Sequence, residues 1–475
     1  MKQSFWPDHV SFQTLEEMSV ALIEGNEDQH TLTCYRVCVY MKAASLLCRL
    51  PKKDRKPPLR RHLEQSIKQY EHEIHQALSE IDYLAPPSLV LLQALLSGAL
   101  FMQNQGDMSR SWTLTAYASR TLVSLNYQSM GPITVWDETK RDIYGSLYTC
   151  YYLDKMLSVL LLRPPSLPKL KLKPAELVQL NPHLPLSASV KVMVEFAQIQ
   201  EVVLDILNHA NTDNQANITM KLNRDMYEIH HTIKKHQNQL PFRDTTYEWA
   251  AIEFGYYALL ASVLHLHQRV VQNRSTHEDC VVASRQALIR LVKIQDEINM
   301  DANFLDHHPY FLTWTLLFYP LSPFFVLFCN VVYSANLEDY ALMAEVTSGV
   351  SRFVEMHPSI AEIHRLFSAF LRIVKPVVHN HPNPAVPQHI PGAAVEGIGL
   401  TSMPSTTSQA PTMSSNLNGD INMTQQEGDY PPSQDFINQN AEVVPEDESL
   451  WDLIDSQPWL GWMRSDALTE NPMSS

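Results

Sequence analysis

A chain of 475 residues, 45% of them hydrophobic, can form one large domain or two to three ordinary ones. Only 13 residues are glycine, seven of them within 1–378, too few for the many tight turns of an all-β protein or for several phosphate-cradling loops. Residues 379–475 set 13 acids against one base, Arg464, so they carry −12 of the net −15 and leave −3 for the rest, which is not the footprint of an autonomous nucleic-acid binder.

The expected fold class is therefore all-α: a large irregular helical domain followed by a disordered acidic tail. The N-terminus, MKQSFWPDHVSFQ, lacks the apolar run of a signal peptide. The six cysteines (Cys34, Cys38, Cys48, Cys150, Cys280 and Cys329) form no C-x-x-C pair and suggest no disulfide framework. Both features point to a reducing compartment, cytosol or nucleus, where the sequons at Asn217, Asn273 and Asn422 are chance matches.

Residues 1–59 contain two amphipathic pieces, SFQTLEEMSVALIE and TCYRVCVYMKAASLLCRL, and a basic connector. That connector, PKKDRKPPLRRH at 51–62, gathers Lys52, Lys53, Arg55, Lys56, Arg60 and Arg61 around three prolines. It reads either as a nuclear import signal or as a solvated basic loop.

Residues 60–378 form the main helical domain. Apolar residues recur at three- and four-residue intervals over 60–81, 87–104, 110–126, 138–162, 189–208, 247–272, 279–299, 310–333, 337–355 and 358–378, with turns marked by Pro, Asn or Gly. No fixed-period repeat is found, so a regular solenoid is not expected. Residues 310–332 are long and uncharged enough to span a membrane, but Pro320 and Pro323 sit inside them and no basic flank orients them. A buried helix pair broken at the prolines is the preferred reading.

No catalytic signature stands out along the sequence. There is no G-x-x-x-x-G-K-[ST], G-x-G-x-x-G or G-x-S-x-G, and no cofactor is implied. His72 and His75 share a helix face, yet no third ligand accompanies them. His265 and His267 face different ways. Cys34 and Cys38, four apart, read as small buried apolar-like residues. No catalytic, metal or cofactor-binding residue is assigned, and an enzyme is not expected.

One acid stands out in the segment LDKMLSVLLLRPPSLP, Leu153 to Pro168. Ile143, Leu147, Cys150, Asp154, Leu157 and Leu161 follow steps of three and four, so Asp154 falls on a buried helical stripe. An unpaired carboxylate there costs several kcal/mol, so a partner is expected, with Arg163 and Arg120 as the candidates for a structural ion pair. Pro164 and Pro165 end the helix.

The ordered stretch KRDIYGSLYTCYYLDKMLSVLLLRPPSLP, 140–168, resembles the signature of the fungal-specific transcription factor domain, the helical middle region of fungal zinc-cluster regulators. The matching features are Lys140-Arg141, Tyr144, Tyr148, Leu153-Asp154-Lys155-Met156-Leu157-Ser158 and Arg163-Pro164. The Q-A-L-L helix within 88–128, its Trp112, the segment from Ala118 through Leu125, and WTLLFYPLSPFFVLFCNVV at 314–332 are similar too. Leu162 stands where the family usually has glycine. The six-cysteine zinc cluster, with its C-x2-C-x6-C spacing, and an N-terminal heptad run for dimerisation appear nowhere.

The resemblance implies a nuclear regulator of a metabolic or secondary-metabolite gene cluster. It would act through a DNA-binding regulator and coactivator proteins, with no sequence-specific DNA contact of its own and no membrane. A small-molecule effector of unknown identity is compatible with it. Within 379–475, the Pro/Ser/Thr-rich stretch gives way to EVVPEDESLWDLIDSQPWLGWMRSD at 442–466. There acids keep Trp451, Leu453, Ile454, Trp459, Leu460 and Trp462 solvated, as in an activation segment that docks an induced helix into coactivator grooves. Ser449 is placed to cap a short helix from Leu450; the same segment could instead pack on the body as a terminal helix. Rival readings remain: a helical scaffold or accessory protein of a biosynthetic pathway that has lost transcription, a gene model missing its DNA-binding exon, and a membrane-associated enzyme using 310–332.

Overall fold

The computed structural model describes residues 9–49, 57–131, 137–178, 187–208, 215–239, 246–271, 274–300, 315, 319, 322–355 and 358–380. Among them are thirteen α-helices, two short 3-10 helices and no strand, so the fold is all-α.

The helices begin where local chemistry satisfies their first N–H groups. In α1 (Phe12–Glu24), Ser11 Oγ accepts from the Thr14 N–H, and Gly25, at φ 63°, ends the helix in the left-handed conformation. Helix α2 (Gln29–Arg49) follows. The next, α3 (Pro57–Glu80), opens on two prolines, in the turn whose N–H groups have no intrahelical partner anyway. The second half of the expected basic connector, 57–62, is thus helical, and only 51–56 lies outside the described residues. Ser88 caps α4 (Leu89–Asn104), Asp107 caps α5 (Met108–Ser124) and Asp137 caps α6 (Glu138–Leu161), each with its side-chain oxygen accepting a backbone N–H three residues on.

The chain continues through α7 (Ser187–Asn208), α8 (Gln215–Gln239), α9 (Thr246–Val271), α10 (Arg274–Met300), α11 (Ser322–Ser334), α12 (Leu337–Ser351) and α13 (Pro358–Asn380). Sequential helices pack on one another: α2 with α3 and α4, α4 with α5, α5 with α6, α6 with α7, α8 with α9, and α10 with α9, α11 and α12. Their buried apolar side chains form one contiguous core from Val10 to Val378. The last helix joins it through Phe367, whose ring stacks on Phe324 of α11 at 3.7 Å.

Helix α6 is deeply buried. From Tyr144 to Leu160 nearly every residue is buried, so it is a central helix and not merely one with a buried stripe. Close approach of neighbouring side chains depends on glycine at several sites, Gly255 and Gly349 among them. A Cβ at Gly255 of α9 would sit 2.6 Å from the Tyr319 ring, and one at Gly349 of α12 would sit 2.0 Å from Gln295 Oε1.

Of the expected pair in 310–333, the second helix is α11, starting at Ser322 with Pro323 in its first turn; the first lies outside the described residues apart from Thr315 and Tyr319. The described helix long and apolar enough to cross a membrane lies elsewhere, in Trp249–Gln268 of α9, and 78% of that window is buried inside the protein.

Candidate functional site

Asp154 is 1% exposed, on the inward side of α6 as its place on the stripe requires. Its partners are not the arginines expected from sequence. Asp154 Oδ1 accepts the Ser166 N–H at 2.7 Å, and Oδ2 accepts the Leu167 N–H at 3.2 Å. The cation is Lys155, the next residue, whose Nζ stands 3.1 Å from Asp154 Oδ2 and 3.4 Å from Glu201 Oε1 on α7. Lys155 also donates to the Leu167 carbonyl at 2.9 Å. Burial pushes the Asp154 carboxyl up, against the pull of Lys155 and the two backbone donors. Tyr151 completes the cluster by donating to Glu201 Oε2 at 3.0 Å.

Backbone geometry explains why Arg163 is elsewhere. Leu162 takes the left-handed conformation, φ 48° and ψ 43°, and the Arg163 N–H returns to the Ser158 carbonyl. That turn carries the Arg163 side chain toward α5, where it donates to Ser109 Oγ at 3.0 Å and lies 4.9 Å from the Trp112 ring. Arg120 is exposed on α5. The proposed ion pair of Asp154 with Arg163 or Arg120 is therefore corrected to Asp154–Lys155–Glu201. Helix geometry alone does not point to Lys155, since neighbours on a helix point about 100° apart, yet four methylenes let its ammonium reach back.

A second cluster had no counterpart in the sequence reading. His9 Nε2 is 2.8 Å from Ser97 Oγ, and Ser97 Oγ is 3.6 Å from Cys38 Sγ. Asp142 of α6 stands close enough to act electrostatically on His9, but its oxygens accept the Ser11 N–H and the Thr14 hydroxyl, both at 2.6 Å. The residue types are those of a Ser-His-Asp triad. Their arrangement does different work: it seals the N-terminal segment onto α4 and α6, with Gln93 Nε2 donating to the His9 carbonyl at 2.9 Å. The recess beside it, lined by His9, Cys38, Lys42 and Ser97, measures about 10 Å³, room for about one water molecule. Burial pushes the His9 imidazole down to about 4 and the Cys38 thiol up to about 12, so neither is poised as a base or nucleophile near neutrality. The bonded pairs lie 59 to 131 positions apart in the sequence, and no local pattern announces them.

Two further charge clusters tie helices together. Asp339 of α12 accepts from both Nε and Nη2 of Arg285 on α10, at 2.6 and 2.9 Å, and from Asn330 of α11 at 2.7 Å. Glu253 of α9 pairs with Lys234 of α8 and, at 2.9 Å, with Arg290 of α10. Burial works to raise the Glu253 carboxyl, but those two cations hold it below the ordinary range.

The other residues singled out from sequence fall as follows. Cys34 and Cys38 are buried in α2. His72 and His75 are exposed on α3, with His75 edge-on to Phe101, while His267 Nδ1 bonds Thr219 Oγ1 at 2.8 Å. Among the described residues no three His, Cys, Asp or Glu side chains converge as metal ligands. Of the basic connector, Arg61 is exposed on α3, Arg60 falls in the same helix with its side chain outside the description, and Lys52, Lys53, Arg55 and Lys56 lie outside the described residues. So do Trp451, Leu453, Ile454, Trp459, Leu460 and Trp462.

No family model, curated protein or solved structure matches the chain.

Proposed function

We propose that this chain is a transcriptional regulator that works in the nucleus through protein partners, a DNA-binding regulator and coactivators, on a metabolic or secondary-metabolite gene cluster. The observation that carries the reading is the division of the chain. Residues 1–378 are near neutral, whereas residues 379–475 hold 13 acids, one base and three of the eight tryptophans. That combination suits a segment that offers apolar anchors to a partner while remaining solvated.

The body adds circumstantial support. The motif that resembles the fungal regulator signature is a single structural device: Asp154 and Lys155 grip the backbone of Leu167, and Leu162 makes the turn that brings it within reach. The clusters at Asp154, Asp142, Asp339 and Glu253 use their carboxylates to join helices, which suits a body that presents surfaces to other proteins.

The test is a reporter assay. Residues 379–475 fused to a heterologous DNA-binding domain are expected to activate transcription, and replacing Trp451, Trp459 and Trp462 by alanine is expected to abolish that activation. A fusion that is expressed and inert would move the assignment to the scaffold reading, in which the same helix-joining clusters serve assembly alone.

A further inference from the structure

Helix α8 buries Leu222, Met226, Ile229 and Ile233 against its neighbours. Its opposite face carries an unusual pairing of exposed apolar and basic groups. Met220, Arg224, Tyr227, His231 and Lys235 recur at steps of four, three, four and four, which puts them on one side of the helix. Met220 is 52% exposed and Tyr227 61%; Arg224, His231 and Lys235 are exposed as well, with Lys221 flanking them. Among the described residues no carboxylate pairs with Lys221, Arg224 or Lys235, although Glu228 lies at the edge of the same face. The face extends over about 22 Å at 1.5 Å per residue. An exposed tyrosine and methionine ringed by unpaired cations fits an acidic partner with aromatic anchors.

The chain itself contains such a partner. Glu448 to Met463, ESLWDLIDSQPWLGWM, has three acids (Glu448, Asp452 and Asp455) and no base. Trp451 with Ile454, and Trp459 with Trp462, are two apolar pairs, each three residues apart. Residues 380–447, 68 in number, join this segment to the end of the helical body. Treated as a random coil, a chain of that length has a root-mean-square reach of about 45 Å. A compact body of about 380 residues has a radius of gyration of only about 21 Å. Length therefore permits the segment to meet any face, and its charge favours a basic one.

We propose that residues 448–463 dock on the outward face of α8, with the tryptophans against Met220 and Tyr227 and the acids beside Lys221, Arg224 and Lys235. Docking covers the two exposed apolar side chains and withdraws the tryptophans from other partners. It is favoured by the covalent tether, which replaces a bimolecular encounter by an intramolecular one. The inference does not depend on the transcriptional assignment.

Zero-length carbodiimide cross-linking of the full chain at low concentration tests it, read by peptide mass spectrometry. The expected result is intramolecular linkage of Lys221 or Lys235 to Glu448, Asp452 or Asp455. Those linkages should fall to background in Arg224→Glu/Tyr227→Ala, whose changes lie on the solvent side, and in Trp451→Ala/Trp459→Ala/Trp462→Ala. Raising salt from 0.15 to 1 M, which shortens the screening length from about 8 to about 3 Å, should weaken them strongly. Absence of the linkages in the wild-type chain overturns the proposal. So does linkage that goes chiefly to lysines elsewhere on the body, or that occurs only between differently isotope-labelled copies, the latter identifying a second copy as the occupant. Both readouts are indifferent to whether 379–475 activates a reporter.

Discussion

Lys155 and Leu167, twelve positions apart, are joined by a 2.9 Å hydrogen bond from the ammonium to the backbone carbonyl, while Asp154 takes the N–H of the same leucine at 3.2 Å. Two adjacent side chains thus hold both polar groups of one buried residue in the segment that follows α6. An ammonium and a carboxylate this deep must satisfy each other and their surroundings, and Leu167 supplies a donor and an acceptor to complete the set.

Removing one member leaves the rest uncompensated. Asp154→Ala strips Lys155 of its nearest counter-charge and orphans two backbone donors, so a loss of about 3–5 kcal/mol in unfolding free energy is expected. Urea denaturation of the full chain checks it. A loss under about 1 kcal/mol, the range of exposed pairs, would show that the carboxylate does not hold this segment.

Leu162 pays for its turn. A side chain in the left-handed conformation costs about 1–2 kcal/mol, and this one, 38% exposed, recovers little by packing. Leu162→Gly should raise the unfolding midpoint, by an amount worth about 0.5–1 kcal/mol once the entropy of the unfolded glycine is subtracted. Leu162→Val should lower it, since branching at Cβ makes φ 48° harder to hold.

Gly255 admits the Tyr319 ring, which packs edge-on to Phe196 and Phe254. Gly255→Ala places a methyl group 2.6 Å from ring carbon Cζ, closer than any tolerated contact. Overpacking of this kind costs about 1–3 kcal/mol. In a thermal-denaturation double-mutant cycle, Tyr319→Leu should absorb much of that cost, giving a favourable coupling; strict additivity would place the clash elsewhere.

His9 makes stability fall with acid. Burial holds its imidazole at about 4 against 6.5 in the unfolded chain, so the unfolded state binds the proton first as pH drops. The contribution of neutral His9 is present above about pH 6.5, declines between about 6.5 and 4, and is gone below that, for a total of about 3 kcal/mol. Melting temperature against pH should show this decline, and His9→Gln should flatten it within that window.

Much of the helical layout is legible because core-facing apolar residues must recur with the period of the helix. So it is for α4, α5 and α6, whose caps at Ser88, Asp107 and Asp137 carry the residue types that accept a backbone N–H. The same pattern does not reveal α8. Its buried set of Leu222, Met226, Ile229 and Ile233 is a narrow stripe in a sequence otherwise rich in Asn, Gln, Lys and His. The prolines at 57 and 58 suggested a connector where they open a helix, since a helix start tolerates what its interior does not.

The sequence by itself determined an all-helical body, the burial of Asp154 and the sharp change in charge near residue 379, because each follows from local periodicity or composition. Only the tertiary structure decided which groups answer the buried charges: Lys155 and Leu167 for Asp154, Ser11 and Thr14 for Asp142, Arg285 for Asp339. Hydrogen bonds and ion pairs reach only about 3 Å, and which distant residues come within that reach depends on how the helices pack and turn.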